Sequence, residues 1–214
     1  MLKLKDVTIK HGSQLILNSC NCNINSQSII VSKNDINTDI IARTITGFRP
    51  VDEGEIHLQE NMMAKKVTAI KKVFFLIPEN YHKLWKNYCL HEIPRVMKIK
   101  IQLSPLLNKY NIPSNVSIDS LTKFQRLIYF ISLGHLLNRS VFIFDQPTKY
   151  FDYDDLEQFY NFLNGDFSDA NYVIFTNRIE EIFARLAIPI YQIHSTKMKA
   201  LKGGDQIVEQ IKLL

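Results

Sequence analysis

The chain has 214 residues, 46% of them hydrophobic and 22% charged, with a formal net charge of +5. That length builds a substantial core without disulfide or metal staples, and the composition excludes a disordered or collagen-like chain. The basic excess is modest and comes without a run of Lys and Arg interleaved with aromatics. This argues against a nucleic-acid partner and leaves a solvated surface or, less favoured, a face towards anionic lipid.

Cys20, Cys22 and Cys89 make no disulfide framework, and their spacings, even with His91, match no common zinc pattern. We expect reduced thiols, as in cytosol. The opening MLKLKDVTIKHG alternates like a strand and lacks an apolar signal segment. No apolar run reaches the ~18 residues of a bilayer span.

In chain order, Leu2 to Ile9 alternates apolar and polar residues and predicts a half-buried strand. His11-Gly12-Ser13 predicts a turn. Leu15 to Leu17 and Cys20 to Ile24 predict two further short strands, and Gln27 to Val31 another. The segment from Ile29 reads IIVSKNDINTDIIARTITGFRPVDEGEI, a strand, a loop and a helix ending at Thr46-Gly47. Lys71 to Ile77 predicts a buried strand, followed by Pro78 and Glu79. From Asn80 to Ser120 the spacing is roughly helical, with breaks at Pro94, Pro105 and Pro113. Leu121-Thr122-Lys123-Phe124-Gln125-Arg126 opens an apolar helix, with Thr122 a candidate N-cap.

Val141 to Asp152, VFIFDQPTKYFD, organises the rest. A strand buried on both faces ends in Asp145, an acid placed at the crevice where α/β sheets bind ligands. An amphipathic helix from Asp154 to Leu163 follows. Asn171 to Thr176 predicts a strand, Ile179 to Ala187 a helix, and Ile190 to His194 with Met198 to Leu201 two edge strands. A helix is expected from Asp205 to Leu214.

These segments, in this order and spacing, resemble the ATP-binding domain of ABC transporters. The resemblance covers nearly the whole chain. It implies an α/β fold of the P-loop NTPase (RecA-like) kind: a mostly parallel sheet, an N-terminal antiparallel part and a short helical subdomain over about residues 80–138, all in one domain of residues 1–214. It also implies a cytoplasmic location, peripheral on the membrane, with a second ATPase subunit and transmembrane permease subunits as partners.

The motifs depart from the family pattern at each catalytic place. The phosphate loop, anchored on Gly47, falls on Ser32, Lys33, Asn34, Asp35, Ile36, Asn37, Thr38 and Asp39. Its glycine places hold Ser32, Asp35 and Asn37, its lysine place Thr38 and its hydroxyl place Asp39. Glycines let backbone N–H groups wrap a phosphate. Asp35 and Asp39 bring carboxylates towards a polyanion, and unit charges ~4 Å apart repel by about 1 kcal/mol in water and about 4 kcal/mol at an effective dielectric of 20. The helix dipole returns only about 1 kcal/mol. Asp39 and Asp145 together remain a candidate cation pair.

Gln146 stands at the general-base Glu, and an amide positions water without taking its proton. Asn177 stands at the switch His and Glu79 at the metal-reaching Gln, where it reads equally as the first polar residue of a loop. Thr122, Lys123 and Gln125 fall on the signature segment, with Phe124 adding bulk where a backbone must approach closely. His11 stands where an aromatic stacks on adenine, and reads equally as a solvated turn residue. Asp145 is the candidate Mg²⁺ ligand. The expectation is a degenerate, non-hydrolysing subunit that binds no ATP/Mg in its own site and pairs with an active ATPase or with itself. The alternatives are an active ATPase with unusual motifs, which would bind Mg-ATP, and a soluble regulatory module.

Overall fold

The computed structural model describes residues 2–58, 62–63, 73–78, 80–99, 105–179 and 181–201. The chain opens with β1 (Leu2–His11) and β2 (Gln14–Ile24), a hairpin turning at Gly12, then β3 (Gln27–Ser32) and α1 (Asp35–Ile45). β4 (Glu53–Leu58) and β5 (Met62–Met63) complete an antiparallel sheet of order β2-β1-β4-β5. After β6 (Phe74–Ile77) come α2 (Glu92–Val96), α3 (Pro105–Lys109) and α4 (Lys123–Leu136), with 3-10 turns at Tyr81–Leu84 and Ile118–Ser120. The last elements are β7 (Val141–Asp145), α5 (Tyr153–Asn164), β8 (Asn171–Thr176), α6 (Glu181–Ala184), β9 (Ile190–His194) and β10 (Lys197–Ala200).

The second sheet has the order β10-β9-β3-β8-β7-β6. β6, β7, β8, β3 and β9 run parallel, and β10 closes it antiparallel. Its middle strands are continuous apolar runs because both faces are covered. One face packs on α4 and α5 through Phe142, Phe144, Phe159, Phe162, Phe167 and Tyr172. The other packs on α1 and the antiparallel sheet through Val7, Ile41, Ile143 and Phe175. The mixed α/β layout agrees with the expected P-loop NTPase class.

Two glycines fix close approaches. A Cβ on Gly54, which has φ +85°, would lie 2.3 Å from the Asp6 carbonyl oxygen. A Cβ on Gly134 would lie 2.4 Å from the Phe142 ring, so α4 reaches the sheet only with glycine there.

Some boundaries differ from the sequence expectation. Leu15 to Leu17 and Cys20 to Ile24 belong to one strand, bent by register shifts against β1 and by Ser19 at φ +43°. Pro94 lies in the first turn of α2 and Pro105 starts α3, where the missing N–H costs nothing, so neither breaks a helix. β9 is interior, between β10 and β3, so of these two strands β10 alone is an edge. The described part of the helix expected over 179–187 is short, Glu181–Ala184. The helix expected over 205–214, residues 71–72 of the strand expected over 71–77, and Glu79 lie outside the described residues.

Candidate functional site

The parallel strands β3, β7 and β8 end together, and their exits carry the residues singled out from sequence. β3 delivers Ser32, which is buried. Its Oγ accepts from the Asn34 N–H at 3.5 Å. Lys33 is exposed. Asn34 is the N-cap of α1, its side chain accepting from the Ile36 N–H at 2.9 Å. The N–H groups of Asn37 and Thr38 donate to the Asn34 carbonyl at 3.0 and 3.4 Å. Asn and Asp are strong helix starters, and this run of them folds Asp35 to Asp39 into the helix. Ile36, Asn37 and Thr38 spend their N–H groups on Asn34.

β7 delivers Asp145, 3% exposed, and Gln146, 3% exposed, with Gln146 in the left-handed region at φ +53°. Non-glycine residues hold that region at a cost, and the local bonds show what holds it here. The Gln146 N–H donates to the Phe175 carbonyl at 2.9 Å. Its Nε2 donates to Thr38 Oγ1 at 3.1 Å, and its Oε1 accepts from the Asn177 N–H at 3.3 Å. One amide thus ties together the lysine, general-base and switch positions of the resemblance. Thr38 is fully buried, and its hydroxyl donates to the Asp35 carbonyl at 2.8 Å.

Lys149 reaches back to the same helix start, with Nζ 2.7 Å from Asp35 Oδ2. Sequence reasoning did not single out Lys149, because its place after Gln146-Pro147-Thr148 carries no motif. Asp39 does not turn towards Asp145 as the candidate cation pair required. Its carboxylate takes the Arg43 Nε at 2.7 and 2.8 Å, one helical turn on. No group of three or more His, Cys, Asp or Glu able to hold a metal occurs among the described residues. Asn37 is half-buried, and its Oδ1 makes no hydrogen bond among the described residues. His11 is exposed at the β1–β2 turn, opposite Gln14.

The signature segment starts α4. Thr122 and Gln125 form a reciprocal capping box, with bonds of 3.1 and 3.2 Å. Gln125 Nε2 also donates to the Tyr110 carbonyl at 3.4 Å. Phe124 is fully buried, edge-on to Tyr110 and Phe162. This corrects the expectation of bulk at an approaching surface: the ring turns into the core. The Phe124 N–H donates to Asp155 Oδ1 at 3.2 Å. Burial pushes the Asp155 carboxyl above its usual range, against the pull of that bond. Lys123 Nζ donates to the Tyr150 carbonyl, tying the signature segment to the turn after β7.

A cavity of about 380 Å³ opens between these two segments and the 3-10 turn at Tyr81–Leu84. Gln146 and Lys123 both line it, with Arg126, His82 and Lys83. His82 and Lys83 were not singled out from sequence, since a turn supplies them without a motif, and Arg126 was read only as the end of the sextet that opens α4.

Solved structures of ABC transporter components share this layout. cbiO1 from Clostridium perfringens, part of the ABC transporter complex cbiONQ, superposes with a TM-score of 0.79 at 14% identity, covering 99% of this chain and 91% of that one. A nucleotide-free ATP-binding cassette from an ABC transporter gives 0.78 at 16% identity, covering 100% and 95%. The chain has the fold of an ATP-binding cassette. The dimeric structure of MJ0796, a bacterial ABC transporter cassette, gives 0.65 at 18% identity, covering 95% of this chain and 100% of that one. A scan against protein-family models and a search of the curated proteins found no match. No helix among the described residues of this chain is long and apolar enough to cross a membrane.

Proposed function

We propose that this cassette is a catalytically degenerate subunit of an ABC transporter. It pairs with an active ATPase subunit and docks on transmembrane permease subunits at the cytoplasmic face of a membrane. The observation that carries this reading is the bond between Gln146 and Thr38. The residues at the general-base and lysine places hold each other inside the protein, and neither has the charge the chemistry needs. Ile36, Asn37 and Thr38 have their N–H groups bonded to Asn34, and Asp35 adds a carboxylate. These residues do not fit a Mg-bound triphosphate, and we assign residues 32–39 no nucleotide.

In a heterodimer, a partner's intact phosphate loop would face Thr122 and Lys123 of this chain. One usable site at most results, and turnover depends on the partner. The dimeric MJ0796 cassette supports pairing as a mode open to this fold.

The test is copurification from native membranes in mild detergent, followed by turnover assays on the subunit alone and on the complex. The expected result is a cassette partner and a permease in the complex, with Mg-ATP turnover only there. Turnover by the isolated subunit that disappears in Asp145→Ala overturns the reading. So does photo-crosslinking of an azido-ATP to residues 32–39.

A second reading, an active ATPase with unusual motifs, has one observation in its favour. The Lys149 ammonium, 2.7 Å from Asp35, brings a positive charge to the phosphate-loop segment. On that reading Lys149→Ala abolishes turnover by the isolated subunit.

A further inference from the structure

A second cavity, of about 260 Å³, lies between α2, α3 and the C-terminal half of α4. The last turns of α4 pack near the start of β7, where Gly134 meets Phe142, so this cavity is far along that strand from the exit at Asp145 and Gln146. No residue of the phosphate-loop or signature segments lines it. Its walls are largely apolar, made by Leu90, Pro94, Leu107, Leu133 and Leu136 with the Tyr129 ring.

Bonds within the chain hold these walls in place. The Leu90 N–H donates to the Val116 carbonyl and the His91 N–H to the Ser114 carbonyl, both at 3.0 Å. Cys89 pairs with Ser117 in the same antiparallel contact. The buried Tyr129 hydroxyl donates to the Leu90 carbonyl at 2.6 Å, and the buried Ser132 hydroxyl to the Ile128 carbonyl at 2.9 Å. The polar groups inside the wall are thus paired already. An apolar cavity of about 150 Å³ stays dry and takes a benzene-sized guest, and this one is larger.

The mouth has a different character. Arg95, exposed on α2, lines it, and its guanidinium makes no hydrogen bond or ion pair among the described residues. Glu92, one turn earlier, spends its carboxylate on the Cys89 N–H at 2.7 Å. No carboxylate lines the cavity among the described residues. The Ser114 carbonyl accepts from Nδ1 of His91 at 3.2 Å, which fixes that ring at the mouth as well. A guanidinium fork matches the two oxygens of a carboxylate. Each methylene moved from water onto the apolar wall tightens binding about fourfold. One cation at the mouth balances one negative charge, which favours a monoanion.

We propose that this cavity binds a small monocarboxylic acid with an apolar tail, the tail against Leu107, Leu133 and Leu136 and the carboxylate on Arg95. The site stands whether or not the chain serves a transporter. A ligand-observed NMR titration of the full chain at low salt tests it, with octanoate as the probe and hexanoate and octan-1-ol as comparisons. Octanoate is expected to bind, with hexanoate weaker by about tenfold for its shorter tail. Octan-1-ol should be weaker by about fivefold, the worth of one solvent-exposed charge pair. Arg95→Gln should weaken octanoate by the same about fivefold and leave octan-1-ol unchanged. Leu136→Trp, which fills the cavity from a half-buried wall position, should abolish binding of both. Arg95 is exposed, so its variant keeps the test valid if Leu136→Trp unfolds. Millimolar octanoate with an unchanged spectrum overturns the proposal; protection of Arg95 in a crosslinked membrane complex would then assign the cavity to a partner protein. Equal binding of acid and alcohol that Arg95→Gln leaves untouched also overturns it. So does octanoate binding that a folded Leu136→Trp retains, which would put the acid elsewhere on the chain.

Discussion

In the phosphate-loop segment most exchanged side chains end in an internal bond, Asn37 being the exception, whereas in the signature segment the exchanges split. Asn34 caps α1, Asp35 takes Lys149, Thr38 takes Gln146 and Asp39 takes Arg43. At the start of α4, Phe124 turns into the core, while Lys123 and Arg126 border a cationic cavity. The difference shows two ways to lose a glycine. Small polar residues at a helix start satisfy the backbone that a phosphate would otherwise satisfy. A large apolar residue is drawn inward by the hydrophobic effect, and a long cationic one stays out and keeps its charge.

The sharpest way to break this comparison is Phe124→Ala. If the ring is core, as its complete burial between Tyr110 and Phe162 implies, the variant loses about 3–5 kcal/mol of stability in urea unfolding. A loss below about 1 kcal/mol would return Phe124 to a surface role, since surface substitutions usually stay within that range.

Next in size is Gln146→Leu. It deletes the bond to Thr38 and strands the Asn177 N–H, so unfolding should show a loss of about 1–3 kcal/mol. A neutral outcome would mean the amide is an ornament of the cluster and not its tie.

The fold was legible where burial alone decides. β8 and β9 occupy the residues that their apolar runs mark. β7 stops at Asp145 because the next residue turns through a positive φ. The places of the site were legible too, since Ser32, Thr38, Asp145, Gln146 and Asn177 gather at the exits of β3, β7 and β8. Their bonds were not. Spacing locates a residue on an element, but Gln146 to Thr38 spans 108 positions and Lys149 to Asp35 spans 114. Such pairs follow from sheet order and side-chain direction. Phe124 misled because a family pattern reads position, whereas the direction of the side chain follows from the capping box at Thr122.

The two helix starts offer a matched pair of smaller effects. Asn34→Ala and Thr122→Ala each remove a cap whose side chain accepts a backbone N–H, and each should cost about 1 kcal/mol. Equal losses by thermal unfolding would show that both segments act as plain helix starts in the isolated chain. A stabilising Asn34→Ala would mean that the cap strains the loop, and the account of residues 32–39 as a self-satisfied helix start would fall.

The smallest effect is a pH slope from His135, on the far side of the core from the phosphate-loop segment. Its ring packs on Phe142 and Phe167, with centroids 5.0 and 5.9 Å away. Burial lowers its pKa below the ordinary 6.5, because the imidazolium would sit against two rings with less water. The unfolded chain therefore takes up a proton at higher pH than the folded chain does. Stability from the neutral imidazole is full above 6.5 and is lost as pH falls through that value towards the lower folded one. Part of the ring meets solvent, so the slope should be shallow. His135→Gln should flatten the fall of Tm between about pH 7 and 5 without moving the capping variants, which involve no group that titrates there. A steeper fall in the variant would mean that the native state prefers the charged ring, and the packing against Phe142 would need another explanation.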